Sequence, residues 1–237
     1  MTRGIGLRSA SSLLFATLAL PLFAAQPETA VFPFTEETLN YTINWPSGLS
    51  LGEAHLHARK VPNGWQFDLT IDGAVPGYAV SDRYHSSATP QLCSVEFQKD
   101  TTHGKRRSQE KTTFDYKKAV AKRATVDGGK SEAPIAACAR DALSFLFYAR
   151  SEWGRGRVPA DQTVLAGAAY QVRMEYNGTQ PVKIGDKSQD ADRVTISVKG
   201  PGSDVSFEAF FGKDKARTPL LVRCPFPLGL FSLELVR

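Results

Sequence analysis

The chain has 237 residues, 42% of them hydrophobic, and a formal net charge of +5. That length and apolar content supply a core for one or two domains and exclude a disordered chain, and there is no low-complexity tract. Nineteen glycines and fourteen prolines, spread throughout, suit many turns between short strands.

The first 25 residues read as a secretory signal peptide. Arg3 and Arg8 precede an apolar run, Leu13 to Leu20; Pro21 breaks it, and the small residues Ala24 and Ala25 follow. The run is shorter than the roughly 20 residues a membrane span needs. Cleavage is expected after Ala24 or Ala25. No cysteine lies near the cut for a lipid anchor, and no paired arginine marks a twin-arginine route. Loss of Arg3 and Arg8 lowers the charge from +5 to +3. Residues 26–237 are expected to form a single β-rich domain, in the periplasm or secreted, with no transmembrane segment. Such a location leaves no nucleic acid to bind.

From residue 40 onward, apolar and polar residues alternate. Ala54, Leu56 and Ala58 oppose Glu53, His55, His57 and Arg59; Trp65, Phe67, Leu69 and Ile71 share one face; Tyr170, Val172, Met174 and Tyr176 share another. This is the period of strands with one wet face. Turn residues separate them: Pro62-Asn63-Gly64, Asp127-Gly128-Gly129, Asn177-Gly178 and Pro201-Gly202. Asp68 and Asp72 fall opposite the aromatics of their strand and are expected in solvent. Asp82 and Arg83 are adjacent and are expected to pair. Roughly a dozen strands follow, at the spacing of a sandwich or barrel.

Between residues 99 and 123 stand nine basic residues against three acids. Lys105, Arg106, Arg107, Lys111, Lys117, Lys118, Lys122 and Arg123 are candidates for an anionic lipid surface or acidic polymer; the plainer reading is a solvated hairpin. Cys93 and Cys138 flank this segment, 45 residues apart. Export permits a disulfide, and that pairing is favoured because it would staple the segment's base. Cys224 reads as a small buried apolar residue.

The stretch "CARDALSFLFYARSEW", from Cys138, is different. Over about 139–151 it reads as a helix. Asp141 suits its positive end and Arg150 its negative end. Leu143, Phe145, Leu146, Phe147 and Tyr148 cover most of its circumference, and a helix apolar all round is buried all round. It spans about 16 Å, the width of a curled sheet. The expected architecture is mainly β: a curled antiparallel sheet or partly open barrel, in one piece or two half-shells, plugged by this helix. Asp141 and Arg150 are expected at the two mouths.

These stretches carry a family resemblance. "RDALSFLFYAR", with Asp141, Leu143, Ser144, Tyr148 and Arg150, resembles an exported bacterial family catalogued as domain of unknown function 3108. So do "YTINWPSGLSLGEA" from Tyr41, "VSDRYHS" from Val80, and "ARTPLLVRCPFPLGLFSLEL" with Arg217, Pro219 and Gly229. The resemblance spans most of the mature chain. It implies a β-rich exported protein and supplies no reaction or catalytic residues to carry over.

Motifs for chemistry are sparse. Gly48-Leu49-Ser50-Leu51-Gly52 fits G-x-S-x-G, but a strand follows where a nucleophile elbow needs a helix, and the last histidine is His103. His55-x-His57 is a zinc spacing, with His85 or His103 as a third ligand. Arg59 on the same face opposes a cation, and no Cys-x-x-Cys pair supports it. No phosphate loop is present. No catalytic, cofactor or metal residues are therefore assigned. Two functional classes remain. The first is a non-enzymatic envelope protein that binds an apolar ligand or lipid, or acts as a scaffold with a basic surface. The second is an envelope hydrolase of an ester or glycan.

Overall fold

The computed structural model describes residues 1, 29, 31–75, 77–226 and 229–236. The expected signal peptide lies outside the described residues apart from Met1. Strands dominate, as the alternation predicts. They are β1 (Glu36–Asn44), β2 (Ser50–Val61), β3 (Gly64–Val75), β4 (Tyr78–Ala88), β5 (Ser94–His103), β6 (Arg106–Asp115), β7 (Val120–Thr125), β8 (Lys130–Pro134) and β9 (Arg140–Asp141). Helix α1 (Ala142–Gly154) comes next. After it come β10 (Gln162–Leu165), β11 (Ala169–Ile184), β12 (Lys187–Gly200), β13 (Ser203–Gly212), β14 (Pro219–Phe226) and β15 (Gly229–Leu235).

All fifteen strands form one sheet, in the order 8-7-6-5-4-3-2-1-15-14-13-12-11-10-9. The two half-shells are thus the two arms of one sheet, joined where β1 pairs antiparallel with β15. The chain starts mid-sheet and meanders to the β8 edge. It crosses through residues 135–139 to the β9 edge, lays down α1, and meanders back. Every described pairing is antiparallel except β9 with β10. The sheet curls around α1 without closing, since β8 and β9 remain edges.

The helix is enclosed. Leu143, Phe145, Phe147, Ala149 and Trp153 are buried. Phe147 stacks on Phe67 of β3 at 4.2 Å between ring centroids, and Phe32 meets it edge-on at 5.8 Å. On its far side, Phe145, Ala149 and Trp153 join Val172, Met174 and Val194 of β11 and β12. Helix residues begin three positions later than the sequence suggests, because residues 140 and 141 extend along β10 first.

The two terminal charges do not sit at mouths. Asp141 is wholly buried as the N-cap. One carboxylate oxygen accepts from the Leu143 and Ser144 amides at 2.8 and 3.0 Å. The other accepts from the Ser86 and Ser94 hydroxyls at 2.7 and 2.5 Å. Ser144 completes a capping box. Arg150 is also buried, bidentate to Glu37 at 2.7 and 2.8 Å and donating to the Ala216 carbonyl at 3.0 Å. Charged groups survive inside because each meets enough partners to replace water.

Cys93 and Cys138 form a disulfide, as expected; Cys224 is a free, half-buried thiol. The bridge ties the start of β5 to the crossover. Beside it, the Ser94 amide donates to the Ala139 carbonyl at 2.9 Å, and Ser94 also holds Asp141. The covalent bond therefore secures the start of α1 against β5.

In denaturant without reductant, one thiol should titrate, rising to three after reduction. Cys93→Ser should remove at most about 4 kcal/mol, the loop-closure term for this spacing, lowering Tm by roughly 10 °C. Asp141→Ala should cost about 2 kcal/mol or more in chemical denaturation, since it strips the cap. Asp141→Asn should cost under about half as much, because Asn also caps and the serine hydroxyls can turn to accept from its amide.

Candidate functional site

The cross-strand register identifies the side chains that line the interior. On the concave face Ala54, Leu56 and Ala58 of β2 stand beside Ile71, Leu69 and Phe67 of β3. Tyr41 and Ile43 of β1, Leu233 of β15, and Val222 of β14 continue this apolar wall. Val194, Ile196 and Val198 of β12 pair with Ala209, Phe207 and Val205 of β13 on the same face.

The helix does not fill the space these walls enclose. A hollow of about 520 Å³ remains between α1 and the sheet. Helix residues Leu143, Phe145 and Ala149 form one side; Leu56, Leu69, Met174, Ile196, Phe207 and Leu233 are among those opposite. Several inward apolar residues keep partial contact with solvent, including Leu69, Ile71, Val198, Phe207 and Leu233. The half-exposed rim includes Leu146, Ala166, Tyr170 and Ser203, at the start of α1 and the ends of β10–β13. Its size falls in the range of about 300–1,000 Å³ typical of small-molecule sites, and its apolar lining is also typical.

The helix's C-terminal end closes against a polar cluster. The Trp153 indole donates to Asp192 at 3.2 Å, as do Thr179 at 2.9 Å and Arg217 at 3.0 Å, with the Lys213 ammonium beside them. Burial alone would raise the Asp192 carboxyl. The hydrogen bonds from Lys213, Thr179 and Trp153 outweigh it and hold that carboxyl below its ordinary range. Glu152 is likewise held low, first by Arg157 and then by Arg155.

The basic segment is not one patch. Lys105, Arg106 and Arg107 lie at the β5–β6 turn, while Lys117 and Lys118 lie at the β6–β7 turn. Ten residues of β6 separate these ends, about 30 Å. Four of the cations lie in ion pairs: Arg107 with Asp100, Lys111 with Glu96, Lys122 with Glu132, and Arg123 with Glu110. Asp82 and Arg83 do not pair with each other, because neighbours on a strand point to opposite faces. Arg83 meets Asp72 at 2.8 Å outside; Asp82 is buried inside with His103 at 2.9 Å and Tyr84 at 3.2 Å. Asp68 is half-exposed and bonded to His85 at 2.7 Å.

The other motifs have structural explanations. Ser50 is exposed at the start of β2. Gly52 is needed for packing: a Cβ there would lie 2.0 Å from the Asp72 carbonyl oxygen. His55 bonds Asn40 and His57 bonds Glu36. Among the described residues no group of three or more His, Cys, Asp or Glu is arranged to hold a metal. Nor, among them, is any helix long and apolar enough to cross a membrane.

Residues 40–236 match the family model described as protein of unknown function (DUF3108). The chain belongs to that family. Its fold is similar to the crystal structure of a beta-barrel-like protein of domain of unknown function DUF1849 from Brucella abortus. That likeness has a TM-score of 0.64 at 7% identity and covers 87% of this chain and 98% of the other. It is a likeness of fold. No curated protein gives a match. The hollow of this DUF3108 chain was not legible as a site, because its lining residues are the same apolar positions that make an ordinary core.

The acid groups at the closed end make stability pH-dependent. Depressed folded-state values for Asp192 and Glu152 add stability that is fully present above the ordinary carboxyl values of 3.8 and 4.5 and is lost as pH falls through the folded values. Denaturation midpoints should therefore fall steeply below about pH 4. Asp192→Asn should lower stability at pH 7 and flatten that acid limb.

Proposed function

We propose that this DUF3108 protein is exported to the periplasm, or beyond it, and serves the cell envelope by holding an apolar ligand, a lipid, in the hollow beside α1. One observation carries this reading. Large apolar side chains face inward around a space of about 520 Å³, yet α1 leaves part of them in contact with solvent. Exposed apolar surface in a recess costs free energy until something apolar covers it, about 25 cal/mol per Å². The charged start and apolar run of residues 1–25 support export, as does the disulfide, which suits an oxidising compartment. The basic side chains at the sheet's ends would serve for approach to anionic lipid or polymer.

The hydrolase reading comes second. Its strongest support is the buried Asp82 joined to His103. Among the described hydrogen bonds, no hydroxyl nucleophile reaches that histidine, and Ser50 lies elsewhere.

Ala209→Trp tests the binding reading. Ala209 is buried on the hollow's wall, so an indole there would occupy the space. The wild-type protein should enhance the fluorescence of the neutral probe N-phenylnaphthylamine, and gently extracted protein should carry lipid in native mass spectrometry. Ala209→Trp should weaken probe binding at least about ten-fold, or 1.4 kcal/mol, with the β circular dichroism spectrum unchanged. A wild-type protein that binds no probe, or a variant that binds it equally, would sink the proposal.

A further inference from the structure

The interior is not apolar throughout. Three rows of paired residues cross the concave face of β2–β6; two turn polar at β4 and the third at β5. One runs Leu56, Leu69, Tyr84, Lys99, Glu110; the next runs Ala54, Ile71, Asp82, Thr101, Ser108. In the third, Val80 of β4 leads to His103 and then Arg106. The apolar wall of the hollow therefore continues, on the same face of the sheet, into polar residues just beyond those that line it.

The charges on that polar wall are unequally matched. Glu110 is held by Arg123. Asp82 accepts from Tyr84 and lies against His103. Lys99 and Arg106 are in no ion pair among the described residues, although Lys99 stands opposite Glu110. Lys99 is half-buried, between the buried Phe97 and Thr101 on the inward face of its strand. Its position is two strands from Leu69, which lines the hollow, or about 10 Å. A lysine stem can lie along apolar surface while its ammonium stays at the polar side.

Resting on the binding reading above, we infer that the occupant is an anionic amphiphile. Its acyl chain lies in the hollow beside α1, and its carboxylate or phosphate head is held by Lys99, with Arg106 at the rim. Of the two acids on the wall, Asp82 is engaged by Tyr84 and His103, and Glu110 by Arg123 through Oε2, while Glu110 Oε1 has no hydrogen-bond partner among the described residues. A neutral lipid of equal chain length would fill the same hollow but leave both cations without a counter-charge. The apolar chain supplies affinity in proportion to buried area, and the charge-assisted contacts discriminate between heads.

Competition against N-phenylnaphthylamine tests this with two probes of equal chain length, laurate and dodecanol, on the full folded protein. Laurate should compete at roughly ten-fold lower concentration than dodecanol, the effect of one charge-assisted contact. Raising the salt should narrow that gap, because the cations are partly exposed. Lys99→Gln combined with Arg106→Gln should abolish the laurate advantage and leave dodecanol unchanged; Lys99→Arg should retain it. Arg173→Gln, on the outward face of β11 where Arg173 pairs with Glu175, should change neither. A lysophosphatidate arm reports whether a phosphate head is preferred to a carboxylate. Equal competition by laurate and dodecanol, or a laurate advantage that survives the double substitution, overturns the inference while leaving the hollow as a neutral lipid site. Failure of every probe to bind overturns the binding reading, and this inference with it.

Discussion

A helix that is apolar on nearly every side has no stable place at a surface, and the rest of this structure answers that constraint. Phe147 packs face-on against Phe67 from one arm of the sheet, while Phe145 and Trp153 pack into the other arm. One sheet can reach both sides of one helix only by curling. It can curl that far only if its two arms are continuous, which the β1–β15 pairing supplies. The same enclosure forces Asp141 and Arg150 inside. Each then requires partners from distant parts of the chain, Ser86 and Ser94 for one and Glu37 for the other.

The hollow follows from a mismatch of dimensions. An α-helix with its side chains is about 10–12 Å across, and the described sheet has fifteen strands. A single helix bridging the two arms of so wide a wall leaves space beside it along the strands. That space is lined by mostly apolar residues of α1, β1–β3 and β10–β15, and the polar residues of β4–β6 continue the curve beyond it. The closed end is sealed by a carboxylate shared among an indole, a hydroxyl and two cations. The rim is sealed by nothing comparable among the described residues. Rigid at one end and accessible at the other, the interior has the form of a receptacle.

Much of this was written in local patterns. Alternation in segments such as Trp65 to Ile71 marked strands and the faces they share, because successive side chains on a strand point to opposite sides. The helix was evident from the concentration of Leu and Phe after Cys138, and the Cys93–Cys138 bridge from the way the two cysteines bracket one segment. The basic segment was misleading as a single surface. Alternation sends Arg107 and Lys111 outward but Lys99 and Arg106 inward, and β6 carries Lys105 and Lys117 to opposite ends. Asp82 and Arg83, adjacent in the chain, were parted for the same reason.

Short-range periodicity thus establishes which residues are strand, which share a face and which must be hidden. It is silent about neighbours across the sheet. Glu37 meets Arg150 from 113 positions away, and the Tyr41 hydroxyl meets the Pro219 carbonyl from 178. Pairings of that range depend on strand order and curvature, which emerge only when every strand is placed at once. For the same reason an unfilled interior leaves no trace in the residues around it. A leucine facing a neighbour and a leucine facing a void are the same letter, and only the assembled distances between helix and wall tell them apart.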